Sequence, residues 1–305
     1  MYQIKPNVFT EWGNLKEIII GTANNARVPS IGDKCLHCID YAHLSDEQFQ
    51  NRPHGLYPQQ LIDETNEDLD EIASKLSSMR IKVHRPLDRD FSELMGNGNW
   101  SVDGYYNYCP RDSMFVVQDK VLATPMTLRH RQFEAETCKP LFDENHWFEA
   151  PKPNLLDSIY QREDLGRPTL LDGEPVFDAA NVIKAGYDIY IHIDTTFVFL
   201  REGLVLLNPA RVNDNNLPEF LKNWDKIWAP EPFPTQVMED WCPASPWLGM
   251  NILSINPNLV MVEEHQTELM KELNKWGIDS MPVRMRHART FSGGPHCISL
   301  DVNRI

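Results

Sequence analysis

The residues best suited to chemistry stand just ahead of apolar runs at comparable places along the chain. They are Asp112 in CPRDSMFVV, Asp178 in FDAANVI, His192 and Asp194 in HIDTTFVFL, Asn251 in WLGMNILSI and Cys297 in GGPHCISLDV. Cys297 is the candidate nucleophile, because a thiolate is the reactive form of an ordinary thiol with a pKa near ~8.5. The preceding Ser292-Gly293-Gly294 lets backbone approach a ligand closely. The plainer reading is a buried core cysteine. His192 is the candidate acid and base, against the alternative of a hydrogen-bonded strand histidine. Asp194 could orient it or bind substrate. Asp112 and Asp178 could hold a cation, or could simply be turn or cap residues. Acids around a thiolate disfavour it unless a cation sits among them. A guanidinium is such a cation, and its planar fork fits carboxylates two bonds at a time. The chemistry these residue types suggest is thiol attack on a guanidinium carbon.

A ring of repeats would bring these residues together, since equivalent positions point at one axis. Two short apolar runs joined by a turn occur at 114–124, 196–208 and 251–263, each reading as a β-hairpin. Each is followed by a stretch with helical character (LRHRQFEAETCKPLF, LPEFLKNW, HQTELMKELNKW) and then a further short strand (HWFEAPKP, DKIWAPEP, IDSMPVRM). The N-terminus supplies strand 15–22, helix 61–79 and strand 81–86, a copy without its first strand; CISLDV at 297–302 is a lone strand. Pairing the last strand with the first would close the ring and remove the exposed sheet edges. A fifth copy begins as the hairpin FDAANVIKAGYDIY, but Tyr190 runs straight into IHID, the start of the next copy. The expectation is a single α/β domain over 1–305, in which either a few tens of residues are deleted between Tyr190 and Ile191 or, the favoured reading, an unresolved segment there supplies the missing helix and strand.

A chain of 305 residues carrying 29 basic and 44 acidic side chains, a net charge of −15, argues against a nucleic-acid partner. No run approaches the ~20 apolar residues of a membrane span, and the N-terminus lacks the apolar core of a signal peptide. Six cysteines in a chain this long do not make a disulfide scaffold, so a reducing cytoplasm is expected.

The motifs EWGNLKEIIIGTA, YCPRD, TPMTLRHR, APKP, EPVFDAANV, HIDTT, GLVLLNPARVN, WLGMN and SGGPHC resemble those of the amidinotransferase family over essentially the whole chain. The resemblance is nearest to inosamine-phosphate amidinotransferases and to the cyanobacterial saxitoxin-pathway amidinotransferases. It implies a five-bladed α/β-propeller of ββαβ modules, and a family chain that continues beyond DVNRI. It implies transfer of the amidino group of L-arginine through an amidino-cysteine on Cys297, with His192 moving the protons and Asp178 paired with the histidine. By the same resemblance Asp112 and Asp194 hold guanidinium nitrogens, with no metal and no organic cofactor. The acceptor is an amine, with a polyketide-derived amine of the saxitoxin type favoured over an inosamine phosphate, glycine or lysine. The other reading of the scaffold is a hydrolase resembling arginine deiminases. Arg129, Arg131 and Arg211 are candidate clamps for the donor's carboxylate, against a plainer role in surface ion pairs. Asn251 and Gly249 complete the candidate substrate site; glycine-specific relatives have serine where this chain has Gly249, which suggests room for a larger acceptor. Relatives are often homodimers.

Cys35-Leu36-His37-Cys38, near His43 and His54, resembles half a zinc site, but no second cysteine pair follows. It reads as a loop near the cleft rim. Cys109 reads as core, and the acidic run from Asp63 to Glu71 as a solvated helix face.

Overall fold

The computed structural model describes residues 3–30, 33–41, 44–162, 168–170, 176–185, 188–191, 195–235 and 244–305. Three modules share one pattern. Strand Met114–Val117 pairs antiparallel with Lys120–Ala123, which pairs parallel with Trp147–Glu149. Phe197–Arg201, Leu204–Leu207 and Asp225–Trp228 repeat it, as do Leu253–Asn256, Leu259–Glu263 and Asp279–Val283. A parallel pair cannot be joined by a tight turn, so each module needs a crossover between its second and third strands.

In the fourth module the crossover is helix Gln59–Ser78, linking strand Leu15–Ile20 to Lys82–His84. Its buried Leu61, Ile62, Thr65, Leu69, Ile72 and Leu76 recur every three or four residues, which gives it one apolar stripe. The missing first strand comes from the other end of the chain. Ser299–Arg304 runs antiparallel to Leu15–Ile20 and closes the ring. The fold is a five-bladed α/β-propeller, as the repeats predict.

Three details differ from the sequence expectation. The stretch 128–142 forms three short 3-10 turns rather than one helix. Pro140 lacks the N–H that a continuous helix would need there, and Arg129 and Arg131 point inward as buried ionic anchors. The crossover 217–224 likewise contains only the turn Glu219–Leu221. The third difference lies in the fifth module. Tyr190 and Ile191 are consecutive residues of one strand, Asp188–Ile191, pairing with Ile183 and Val182. Among the described residues this module is a two-stranded hairpin. A small apolar cluster of Phe115, Phe177, Ala179, Val117 and Leu122 lies beside it. No helix among the described residues is long and apolar enough to cross a membrane.

Candidate active site

Cys297 lies on the turn that leads into the closing strand and is 7% exposed. Asn251, fully buried ahead of strand Leu253–Asn256, fixes it from both ends of one amide. Its Nδ2 donates to the Cys297 sulfur at 3.1 Å. Its Oδ1 accepts from the backbone N–H groups of Cys297 (3.0 Å) and His296 (3.1 Å). A donor aimed at sulfur favours the thiolate over the thiol. The two glycines ahead of Cys297 are required by close approach. A Cβ on Gly294 would lie 2.8 Å from the Cβ of Asn251, and one on Gly293 would lie 2.5 Å from the sulfur of Cys109.

The YCPRD segment is stapled to the same turn. Tyr108 donates its hydroxyl hydrogen to the Gly293 carbonyl at 3.0 Å. The buried Arg111 donates through Nε to the carbonyls of His296 (2.9 Å) and Ser299 (2.8 Å), and through Nη2 to Asp301 at 2.6 Å. Glu11 stands 3.7 Å from Arg111 and 3.5 Å from His296. Arg304 binds Asp301 at 2.8 Å. This buried ionic layer ties the start of the chain to its last strand beneath the cysteine. Cys109, read from the sequence as core, is buried, but its thiol is hydrogen-bonded to that of Cys297.

Asp112 sits on the short turn Pro110–Ser113 and accepts from Arg131 at 2.7 Å. Arg131 also binds Glu134 through two nitrogens, at 2.9 and 2.7 Å. Burial pushes the Glu134 carboxyl up to about 7 in spite of that arginine. Asp178 accepts from the Thr127 backbone N–H at 3.3 Å. Burial pushes its carboxyl up to about 6; Arg131 opposes this, while the like charges of Asp112 and Asp40 add to it. Asp40, which the sequence reading missed, is also pushed upward by burial, against Arg131 and a hydrogen bond to Tyr105. It follows helix Lys34–Ile39, and that helix replaces the loop expected around Cys35 and Cys38. The Cys35-Leu36-His37-Cys38 motif suggests metal, and nothing local marks the acid that ends the helix.

The structure thus brings together Cys297 with Asn251, and Asp112 with Asp178 and Arg131; Cys109 spans the two groups, since Asp112 acts on its thiol as well. His192 and Asp194 lie outside the described residues. Two of the three candidate arginines are engaged by the protein's own acids. Arg131 is engaged by Asp112 and Glu134. Arg129 is a buried strut that binds Asp33 (3.0 Å), Asp157 (2.6 Å) and the Leu155 carbonyl (2.8 Å). Both arginines hold the protein's own acids, so neither is a free carboxylate clamp nor a surface pair. Arg211 is exposed, and its Nη1 donates to the hydroxyls of Thr195 (2.9 Å) and Thr196 (3.2 Å), next in sequence to Asp194.

Gly249 lines a small cavity with Phe233, Trp247, His265 and Gln266, and Gln266 packs closely on it. A Cβ there would lie 2.6 Å from the side-chain amide of Gln266. That amide is held by the backbone N–H and carbonyl of Phe233 (3.0 and 3.1 Å) and by Glu263 (3.0 Å). The acidic helix is likewise more than a solvated face. Asp68 is buried and binds Arg284 at 2.7 Å and Arg286 at 2.9 Å, and Glu64 binds His287 at 2.6 Å. These contacts anchor the segment that runs on to Cys297.

No family model matches the chain. Among curated proteins it is similar to inosamine-phosphate amidinotransferase 1 of Streptomyces glaucescens, at 39% identity over 337 aligned positions, covering 98% of this chain and 96% of the relative. Those positions outnumber the chain's own 305 residues, so the relative carries residues that this chain lacks. Among solved structures, the inosamine-phosphate amidinotransferase of Streptomyces griseus superposes with a TM-score of 0.92 at 37% identity, over 99% of this chain and 97% of the other. An amidinotransferase of the saxitoxin pathway from Microseira wollei gives 0.87 at 29% identity, over 98% and 97%.

Proposed function

Because the chain belongs to the amidinotransferases, enzymes that transfer amidino groups, we propose that it takes that group from L-arginine and delivers it to an amine acceptor through a covalent intermediate on Cys297. The observation that carries this reading is the shape of the charge. A sulfur that accepts a hydrogen bond from Asn251 adjoins a group of carboxylates, Asp112, Asp178 and Asp40, that share Arg131. A planar cation among those acids would relieve the repulsion that lifts Asp178. It would also present its central carbon to the sulfur.

In this proposal the Cys297 thiolate adds to the guanidinium carbon, and the bond to the ornithine nitrogen breaks as His192 delivers a proton to that nitrogen. A thiouronium remains on the sulfur. The acceptor amine then attacks the same carbon, His192 removes its proton, and the thiolate departs. Splitting one difficult substitution into two predicts ping-pong kinetics. Asp178 partners the histidine, Asp112 and Asp194 hold guanidinium nitrogens, and Arg211 receives the donor's carboxylate. The first acceptor to test is an inosamine phosphate, because identity to those enzymes is higher than to the saxitoxin-pathway structure. A polyketide-derived amine of the saxitoxin type is the second, with glycine and lysine as controls.

The test uses arginine alone, then arginine with each amine. Arginine alone should add one amidino group to the mass of the protein on Cys297, with one equivalent of ornithine released. The acceptor should discharge it. Cys297→Ala should do neither. Citrulline and ammonia appearing without any amine would mean that water is the acceptor. Ornithine turnover by Cys297→Ala would remove the nucleophile from the scheme.

A further inference from the structure

Two thiols, not one, stand at the centre of this site, and the proposed transfer uses only Cys297. The Cys109 side chain is 1% exposed and hydrogen-bonds to the Cys297 sulfur. The two backbones are held together on both sides of that contact. Tyr108, the residue before Cys109, binds the carbonyl of Gly293; Arg111, two residues after it, binds the carbonyls of His296 and Ser299. The Cys109 sulfur sits where a side chain on Gly293 would otherwise be, since a Cβ there would lie 2.5 Å from it. Disulfides need their α-carbons within roughly 4.4–6.8 Å, and the hydrogen bond between the two thiols puts the sulfurs within reach of one another.

We propose that Cys109 and Cys297 form a reversible disulfide when a peroxide reaches the site, so that oxidation switches the enzyme off without destroying its nucleophile. The inference rests on the nucleophilicity of Cys297 assumed above. The Cys297 thiolate attacks one oxygen of hydrogen peroxide, giving a sulfenic acid and hydroxide, which takes up a proton to become water. The Cys109 sulfur then attacks the Cys297 sulfur; the S–O bond breaks, the S–S bond forms, and the Cys109 proton leaves with the hydroxide as a second water. Peroxide is reduced by two electrons, and the two thiols are oxidised by two. The order follows from exposure. Cys297 is the thiol that a small oxidant can touch, whereas Cys109 lies behind it. Burial holds the Cys109 thiol protonated, which makes it a poor first target. The buried thiols of Cys35 and Cys138 are likewise held protonated, pushed up to about 12 by burial. A resolving thiol in contact with the nucleophile diverts the sulfenic acid from the irreversible sulfinic and sulfonic states.

The test is peptide mapping of the full chain after brief exposure to hydrogen peroxide, without reductant. The expected product is a cross-linked pair of tryptic peptides carrying Cys109 and Cys297. Intact mass should fall by about 2 Da, and dithiothreitol should restore both mass and activity. In Cys109→Ser the same exposure should raise the mass by about 32 Da at Cys297, with no recovery in dithiothreitol. Sulfinic acid on Cys297 in the unaltered protein, or a disulfide joining any other pair, would overturn the proposal. Mapping of the unaltered protein decides this even if the serine variant fails to fold. The readout is independent of transfer: a reduced protein that forms the disulfide but never releases ornithine would defeat the amidino reading and leave this one standing.

Discussion

Asp178→Asn should make the free protein more stable at neutral and alkaline pH while stopping its reaction. The native carboxyl is lifted from an ordinary 3.8 to about 6 by burial and by the neighbouring Asp112 and Asp40, more than Arg131 and the Thr127 N–H hold it down. Below pH ~3.8 the carboxyl is protonated in both folded and unfolded chains, and no difference arises. Between ~3.8 and ~6 the folded chain binds more protons than the unfolded one, so the group's contribution to stability falls as pH rises. Above ~6 the penalty is complete. Two pK units correspond to about 3 kcal/mol. Asp178 is only partly shielded from solvent, which reduces this to about 1–3 kcal/mol. Asparagine keeps an oxygen for the Thr127 N–H but carries no charge. Urea unfolding of both proteins from pH 4 to 8 should show curves that coincide at the acid end, with the variant ahead by that margin at pH 8. The difference between the two proteins isolates Asp178 from other titrating groups such as Glu134. A variant equal or inferior at pH 8, or a margin that does not vary with pH, would refute the electrostatic account. The same ionisation sets the reaction: kcat/KM for arginine should fall below pH ~6 as Asp178 takes up its proton.

Asn251→Asp replaces the donor on the Cys297 sulfur with a negative charge while keeping the acceptor for the two backbone N–H groups; ornithine release should drop by about two orders of magnitude, the scale for losing one preorganised donor, with circular dichroism unchanged. Arg131→Ala leaves Asp112 and Glu134 buried without their partner and should cost about 3–5 kcal/mol in thermal or urea unfolding. Gly249→Ser must displace the Gln266 amide from Phe233 and Glu263; it should destabilise by about 1–3 kcal/mol, with no gain in the use of glycine as acceptor.

Much of the ring was readable because each hairpin combines an alternating or continuous apolar run with a turn, and such periodicity survives in sequence. The closing pair, Ser299–Arg304 on Leu15–Ile20, follows from a strand shortage at one end and a surplus at the other. What was not readable depends on partners distant in sequence. Arg129 and Arg131 look like ligand clamps in TPMTLRHR, because nothing local reveals that Asp33, Asp157, Asp112 and Glu134 are waiting for them. Nor does anything local to Gly249 show that Gln266 packs against it. Crossover 128–142 carries helical residues, yet its buried arginines and Pro140 break it into 3-10 turns. Asp40 stands in no motif, and Cys109, though part of YCPRD, reads as core; only their positions beside Arg131 and Cys297 reveal what they face.

The two halves of the candidate site are built from opposite kinds of interaction, and this explains how one small region can both hold a cation and present a nucleophile. Around Cys297 the contacts are close and directional: an amide gripped at both ends, carbonyls taken by Arg111, glycines forced by close approach. Such a turn cannot relax when a substrate binds, so the sulfur is held where attack requires it. Around Asp178 the contacts are electrostatically unresolved, with several carboxylates facing Arg131 and one of them lifted to about 6. A cationic substrate gains there what the free protein lacks, and that gain is greatest where the rigid turn is nearest. Cys109 is the joint between the halves, touching the sulfur on one side and feeling Asp112 on the other. A substitution at that joint should therefore alter both the affinity for arginine and the reactivity of Cys297, whereas Asn251 should govern reactivity alone.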